Sequence, residues 1–207
     1  MPSFSTDTIA DFLNAVASPD PTPGGGSVAA VAGAMGASLL IMVAGLTRTR
    51  NNNEDERVAL AGARATVLPL RDRLLSLADR DTEAYDQVTA AFKQPKGTEA
   101  EKARRKDAVQ RALHAATLAP LDILRAVADL MPAGSIVAHV GNRSARSDVG
   151  VALGLLEAAA QGGALNVRAN LESIEDPRFE DEVASELGRL EGGIAAELQA
   201  ARATLVG

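Results

Sequence analysis

Apolar residues recur at three- and four-residue steps through nearly every long segment of the chain, while Gly, Pro and Asn clusters interrupt them at wide intervals. No run alternates convincingly as a half-buried strand would. Ile9, Phe12, Leu13 and Val16 make a first short helical stripe that Ser5 or Thr6 can cap and that ends near Ser18 and Pro19. After a linker at 20–26, a second helix is expected over about 27–47, with Ala29, Gly33 and Ala37 on a small-residue face. Asn51, Asn52 and Asn53 break it. The third pattern, 54–92, contains Pro69 and should kink or divide there, because proline removes an amide donor and crowds the preceding turn. Thr98 followed by Glu101 reads as a capping box that opens a region to about Leu130, with Pro120 as an interior break and Pro132 as its stop. Residues 133–140 are left unassigned, helices are expected over about 144–161 and 177–205, and 166–171 is too short to classify. The pattern predicts an all-α fold: a compact multihelical array of long kinked and short helices, without a substantial sheet, as a single domain over 1–207.

Composition narrows the core and the partners. The chain is 46% hydrophobic but only 2% aromatic, so Ala, Val, Leu and Ile must fill its interior, which suits closely packed helices. A net charge of −6 repels a phosphate backbone and argues against nucleic acid as a partner. Without cysteine there is no thiolate ligand, disulfide or cysteine nucleophile. The two histidines, His114 and His139, do not make a multi-histidine metal site, and each is expected to be packed or capping. Asp7 and Asp11 stand where a signal peptide is uncharged, so the chain is read as cytoplasmic. Residues 28–47 carry no charge until Arg48, yet their Ala, Gly and Ser content fits a buried or subunit-interface helix better than a membrane span.

Three places could carry chemistry. Gly24, Gly25, Gly26 and Ser27 open directly into the uncharged helix, without the Lys-Ser/Thr of a P-loop or the strand of a dinucleotide fold. They offer backbone donors and room for a flat ligand, or simply a hinge with Ser27 as cap. Asp81 interrupts a stripe formed by Leu70, Leu74, Leu77, Tyr85, Val88 and Phe92, so it should face inward. There desolvation raises a carboxyl pKa toward the range useful for proton transfer; a buried structural acid is the alternative. Asp79, Glu83 and Asp86 fall on another face, Asp86 nearest the same edge. Asp148 opens a helix on the line of Val151, Ala152, Leu155 and Ala159, and serves either the interior or the helix dipole. Asn142, Asn166 and Asn170 could read a heterocycle edge or make turns. Among the basic residues between Lys93 and Arg111, Lys96 lies in a loop and suits an anionic ligand tail; a solvated, salt-bridged face is the ordinary use of such a run.

Taken together, Thr22-Pro23-Gly24-Gly25-Gly26-Ser27, the Asp81…Tyr85…Val88 helix, Pro95-Lys96 with Thr98-Glu99-Ala100-Glu101-Lys102, Gly141-Asn142…Ser147-Asp148 and Asn166-Val167…Asn170-Leu171 occur in an order that resembles the formiminotransferase-cyclodeaminase C-terminal family over nearly the whole chain. Tyr85 stands where that family leads one to expect Phe, and Ala169 where a larger aliphatic is expected. The resemblance implies an all-helical homodimer that binds tetrahydrofolate near the glycine loop, without metal, nucleotide or other cofactor. Lacking an attached formiminotransferase domain, the chain is expected to be a stand-alone cyclohydrolase that converts 5,10-methenyltetrahydrofolate to 10-formyltetrahydrofolate. Formimidoyltetrahydrofolate cyclodeamination with release of ammonia is the alternative, and a non-catalytic folate-binding or scaffold protein the second. On this reading Asp81 is base or cation stabiliser, Asp148 its partner, and Asp86 a reserve. Gly24 to Ser27, Asn142 and Asn170 hold the pterin, and Lys96 the glutamate tail.

Overall fold

In the computed structural model, which describes Phe4 and residues 6–206 except the Val206 side chain, six α-helices follow one another: α1 (Ile9–Val16), α2 (Gly25–Ala44), α3 (Glu54–Phe92), α4 (Glu99–Val140), α5 (Arg146–Leu171) and α6 (Pro177–Val206). A 3₁₀ turn, Arg143–Ala145, joins α4 to α5. No strand occurs among the described residues.

Local chemistry sets most boundaries. Thr8, rather than Thr6, caps α1 by accepting from the Asp11 amide, and Ser5 lies outside the described residues. Only Phe12 of the expected α1 stripe is buried; Ile9 and Leu13 are exposed. Thr98 and Glu101 form the reciprocal capping box at the start of α4. The prolines do not divide their helices: Pro69 lies inside α3, and Pro120 and Pro132 inside α4, which runs on through 133–140. The 166–171 segment, unassigned from sequence, is the last part of α5.

Pro120 shows how an interior proline is tolerated. Its missing N–H leaves the carbonyl of Ala116, one turn earlier, without a helical donor. Asn170 on α5 supplies one, its Nδ2 donating to Ala116 O at 2.8 Å. The repair doubles as a tie between two helices.

The central core draws on α2, α3, α4, α5 and α6, with α2 lying across α3 and α5. Small residues set that approach: a Cβ at Gly36 would stand 2.9 Å from the Ala152 carbonyl, and one at Gly162 would stand 2.9 Å from Ala29 Cβ. Charged contacts fix the outer register. Arg80 pairs with Asp122 at 2.7 Å and Arg73 with Asp129 at 3.6 Å, so α3 and α4 run antiparallel, each step along one matched by a step back along the other. Arg125 grips Glu186 with two bonds of 2.7 and 2.6 Å, fastening α6 to α4. His114 stacks on Phe179 at 4.0 Å between centroids, a packing role. Both α2 and a window of α4 have the length and hydropathy of a membrane span, and 56% of each window is buried in this helical array.

The Pro120–Asn170 relation makes a checkable prediction. Asn170→Leu should cost about 1–3 kcal/mol by stranding the Ala116 carbonyl, and the cost should shrink when Pro120→Ala restores the helical N–H. Urea unfolding of the four proteins of this double-mutant cycle measures it, and equal costs in both backgrounds contradict the account.

Candidate functional site

Helix α2 begins two residues before Ser27, with Gly24 at the N-cap position and no side-chain cap. Ser27 is therefore not a cap. Its side chain is fully buried, and its Oγ lies 3.0 Å from the Ala78 carbonyl, 3.0 Å from Asp81 Oδ2 and 3.3 Å from Thr82 Oγ1. Asp81 thus turns from α3 toward the start of α2, as its place in the stripe predicts, and it is half-buried there. The downstream half of that stripe differs: Tyr85 and Phe92 are 44% and 50% exposed, because α3 outruns α2 at this end.

Gly26 is what lets the carboxylate in. A Cβ built on it would fall 2.2 Å from Asp81 Oδ1 and 2.5 Å from its Cγ, so the space of a side chain at position 26 is occupied by the acid. Gly25 is exposed beside it, and its Cβ position lies 3.5 Å from Asn166 Nδ2 on α5. Asn166 Nδ2 is held by the Gly162 carbonyl at 2.8 Å.

Burial pushes the Asp81 carboxyl above the usual aspartate range, partly offset by the Ser27 hydroxyl and backbone amide. The one proton of Ser27 can serve either state of the acid. Facing a carboxylate it donates to Oδ2; facing a carboxylic acid it accepts from Asp81 and donates to the Ala78 carbonyl. A partly desolvated carboxyl with a hydroxyl relay is suited to taking and returning a proton.

The other expected residues separate into three groups. Gly24, Gly25, Gly26, Ser27 and Asp81 come together, joined by Thr82 and by Asn166. Asp86 and Asn170 lie about 7 Å further along: the α3–α4 register sets Asp86 level with Ala116, the residue that holds the Asn170 amide. Lys96 is exposed on the α3–α4 hairpin, about 18 Å past Asp81 along α3. Its neighbours Lys102, Lys106 and Arg105 are engaged by Glu99, Glu175 and Phe92. Asp148 is at the far end of α5, about 27 Å from Asn166, and Asn142 stands just before the 3₁₀ turn that leads into that end. There the Asn142 side chain accepts from the Ser144 amide, which is turn chemistry. Asp148 is half-buried; of the stripe it was placed on, Ala152 and Ala159 are buried while Val151, one turn on, is 56% exposed. Thr82 escaped the sequence reading because a threonine beside an acid on a helix carries no periodic signal.

Among the described residues no three His, Asp or Glu side chains converge in a way that could hold a metal ion.

Residues 8–189 match the family described as formiminotransferase-cyclodeaminase. The chain is 39% identical over 181 residues to the methenyltetrahydrofolate cyclohydrolase of Methylorubrum extorquens, covering 87% of each. It is 33% and 36% identical to the formimidoyltransferase-cyclodeaminases of Gallus gallus and Sus scrofa, but spans only 34% and 33% of their length. The crystal structure of formiminotetrahydrofolate cyclodeaminase from Thermotoga maritima superposes with a TM-score of 0.87 at 32% identity, 98% of each chain being covered. Fold, length of match and identity agree, and the chain belongs to the formiminotransferase-cyclodeaminase family.

Proposed function

We propose that this chain hydrolyses 5,10-methenyltetrahydrofolate to 10-formyltetrahydrofolate, with the pterin end of the substrate at the cradle of Gly25, Gly26, Ser27 and Asp81. The observation that carries the mechanism is the Asp81 carboxylate seated on Gly26 and bonded to Ser27. The identity to the Methylorubrum cyclohydrolase over 87% of both chains favours this reaction within the family.

The substrate carbon joins N5 and N10 as an amidinium and is already electrophilic, so the reaction calls for a positioned base rather than a resident metal or cofactor. Asp81 accepts a proton from water as the water oxygen bonds to that carbon, giving a neutral carbinolamine. As the C–N5 bond breaks, its electron pair goes to N5, which takes up a proton, while the carbinol loses its own and becomes the formyl carbonyl. One water is consumed and one proton released. In the second step the proton held by Asp81 returns to N5, restoring the carboxylate; within one chain Asp148 is too distant to take part. Lys96 extends from the same end of the molecule as the cradle and suits the glutamate carboxylates of the tail. We include in the proposal a dimeric, cytoplasmic enzyme without a nucleic-acid or membrane partner.

Cyclodeamination of formimidoyltetrahydrofolate is the second reading, supported by the name of the Thermotoga structure. It builds a tetrahedral centre at the same carbon but expels ammonia. Loss of methenyl absorbance, followed beside ammonia release from the formimidoyl substrate, separates the two. Acceleration of neither above buffer sinks both and leaves a binding or scaffold role.

Asp81→Asn should lower turnover by about two to four orders of magnitude while folate binding persists; retained turnover removes Asp81 from the mechanism. Because the folded-state pKa is raised above 3.8, the charged acid costs stability at neutral pH and the protonated acid does not. Thermal melts of Asp81→Asn should therefore match or exceed the native protein at pH 7 and lose any advantage in acid. In the native enzyme, the acid limb of the rate profile should fall at a pH above that of an ordinary aspartate. Gly26→Ala should also depress turnover at least about tenfold by displacing the carboxylate, with helical circular dichroism retained. An active Gly26→Ala protein would show that the carboxylate need not occupy that space.

A further inference from the structure

Where α4 ends and α5 begins, the fold leaves a small hollow whose positive charges the chain does not answer. Its volume is about 30 Å³, room for a single small ion rather than a larger organic ligand. Buried Val137 and Val149 make its floor, and Arg50, Asn142, Arg143 and Arg146 stand round it, with the last turn of α6 closing one side. No acidic residue lines it.

In a chain of net charge −6 acids are in surplus, and Arg73, Arg80, Arg125 and Arg202 each hold one. Arg143 and Arg146 hold none among the described residues. Their position makes this unfavourable: Arg143 opens the 3₁₀ turn and Arg146 is the first residue of α5, where the helix dipole attracts anions and opposes cations. Arg50 is placed differently. Its Nη1 donates to the His139 carbonyl at 3.2 Å, near the end of α4, and its remaining N–H groups are left for the hollow. The Asn142 Oδ1 accepts from the Ser144 amide at 2.9 Å, so its Nδ2 is also left to donate. Asp148, two residues after Arg146, lies about 200° round α5, on the other side of the helix.

We infer that this hollow binds a phosphate-class oxyanion, either the free ion or the head of a phosphorylated metabolite, held by Arg50, Arg143 and Arg146 with Asn142. Three guanidinium groups on one small hollow match a group that carries nearly two negative charges and presents oxygens in several directions. A carboxylate brings one charge in one plane. The anion also meets the favourable end of the α5 dipole, which turns two badly placed cations into ligands. Arg143 and Arg146 are exposed, so an organic body attached to the phosphate extends past them into solvent. The hollow is about 30 Å along α5 from Asn166, and the inference does not rest on the proposed hydrolysis.

Calorimetric titration and thermal melts of the native chain test it, with inorganic phosphate added at neutral pH against sodium chloride of equal ionic strength. Saturable binding and a higher melting temperature are expected with phosphate and not with chloride or acetate. Glycerol 3-phosphate separates the two sources: binding tighter than that of free phosphate assigns a phosphorylated metabolite, and equal or weaker binding assigns the free ion. Arg143→Gln combined with Arg146→Gln should weaken phosphate binding at least about tenfold. Without phosphate this variant should melt no lower than the native chain, because it removes cations from a helix start; with saturating phosphate it should melt lower. A variant that melts lower in both buffers shows the two arginines to be structural and overturns the inference. Acetate binding as tight as phosphate, no saturable phosphate binding, or native affinity in the variant overturns it equally.

Discussion

The carboxylate of Asp81 and the missing side chain of Gly26 occupy one volume, and the arrangement of the site depends on that substitution of acid for Cβ. A larger residue at 26 would hold α2 and α3 apart, expose the acid to water and return its pKa toward the ordinary range. The same economy of side chains runs down α2. Gly33, Gly36 and several alanines let it lie close against α3 and α5, and that closeness brings Asn166 to the glycine-lined opening.

Much of this was legible in the sequence, for identifiable reasons. The Asp81 orientation followed from a break in a long apolar period, a signal that survives because helices α3 and α4 pack along most of their length. The capping box at Thr98 is local chemistry and appeared as expected. Helix ends were harder where tertiary contacts overrule a breaker: Pro120 is accommodated by an amide fifty residues away in sequence, and no local rule carries that. Asn170 illustrates the same limit at the site, since a residue that can face a ligand is spent in part on the backbone of a neighbouring helix. The separation of Asp81 from Asp148 was also invisible, because periodicity reports which face a residue occupies and says nothing of which end of the molecule it reaches.

The polar residues divide by job. Arg73, Arg80, Asp122, Asp129, Arg125 and Glu186 form a belt that aligns α3, α4 and α6 on the side away from α2. Glu56 is buried at the other end, where Thr49 and Asn51 donate to it and, with the Thr49 hydroxyl foremost, hold its carboxyl below the usual range. It shapes the loop between α2 and α3 and has no opening to solvent comparable to that of Asp81. The two acids are thus distinguished by their donors: several for the buried Glu56, chiefly a single serine for the half-buried Asp81.

Tyr85 is the only tyrosine in the chain, and there is no tryptophan. It projects from α3 one turn beyond Asp81, 44% exposed, on the side of the helix that borders the cradle. Excited above the phenylalanine band, the emission of the native protein therefore originates at a single ring next to the opening, and arrival of a ligand there can be followed optically without labelling or altering any residue.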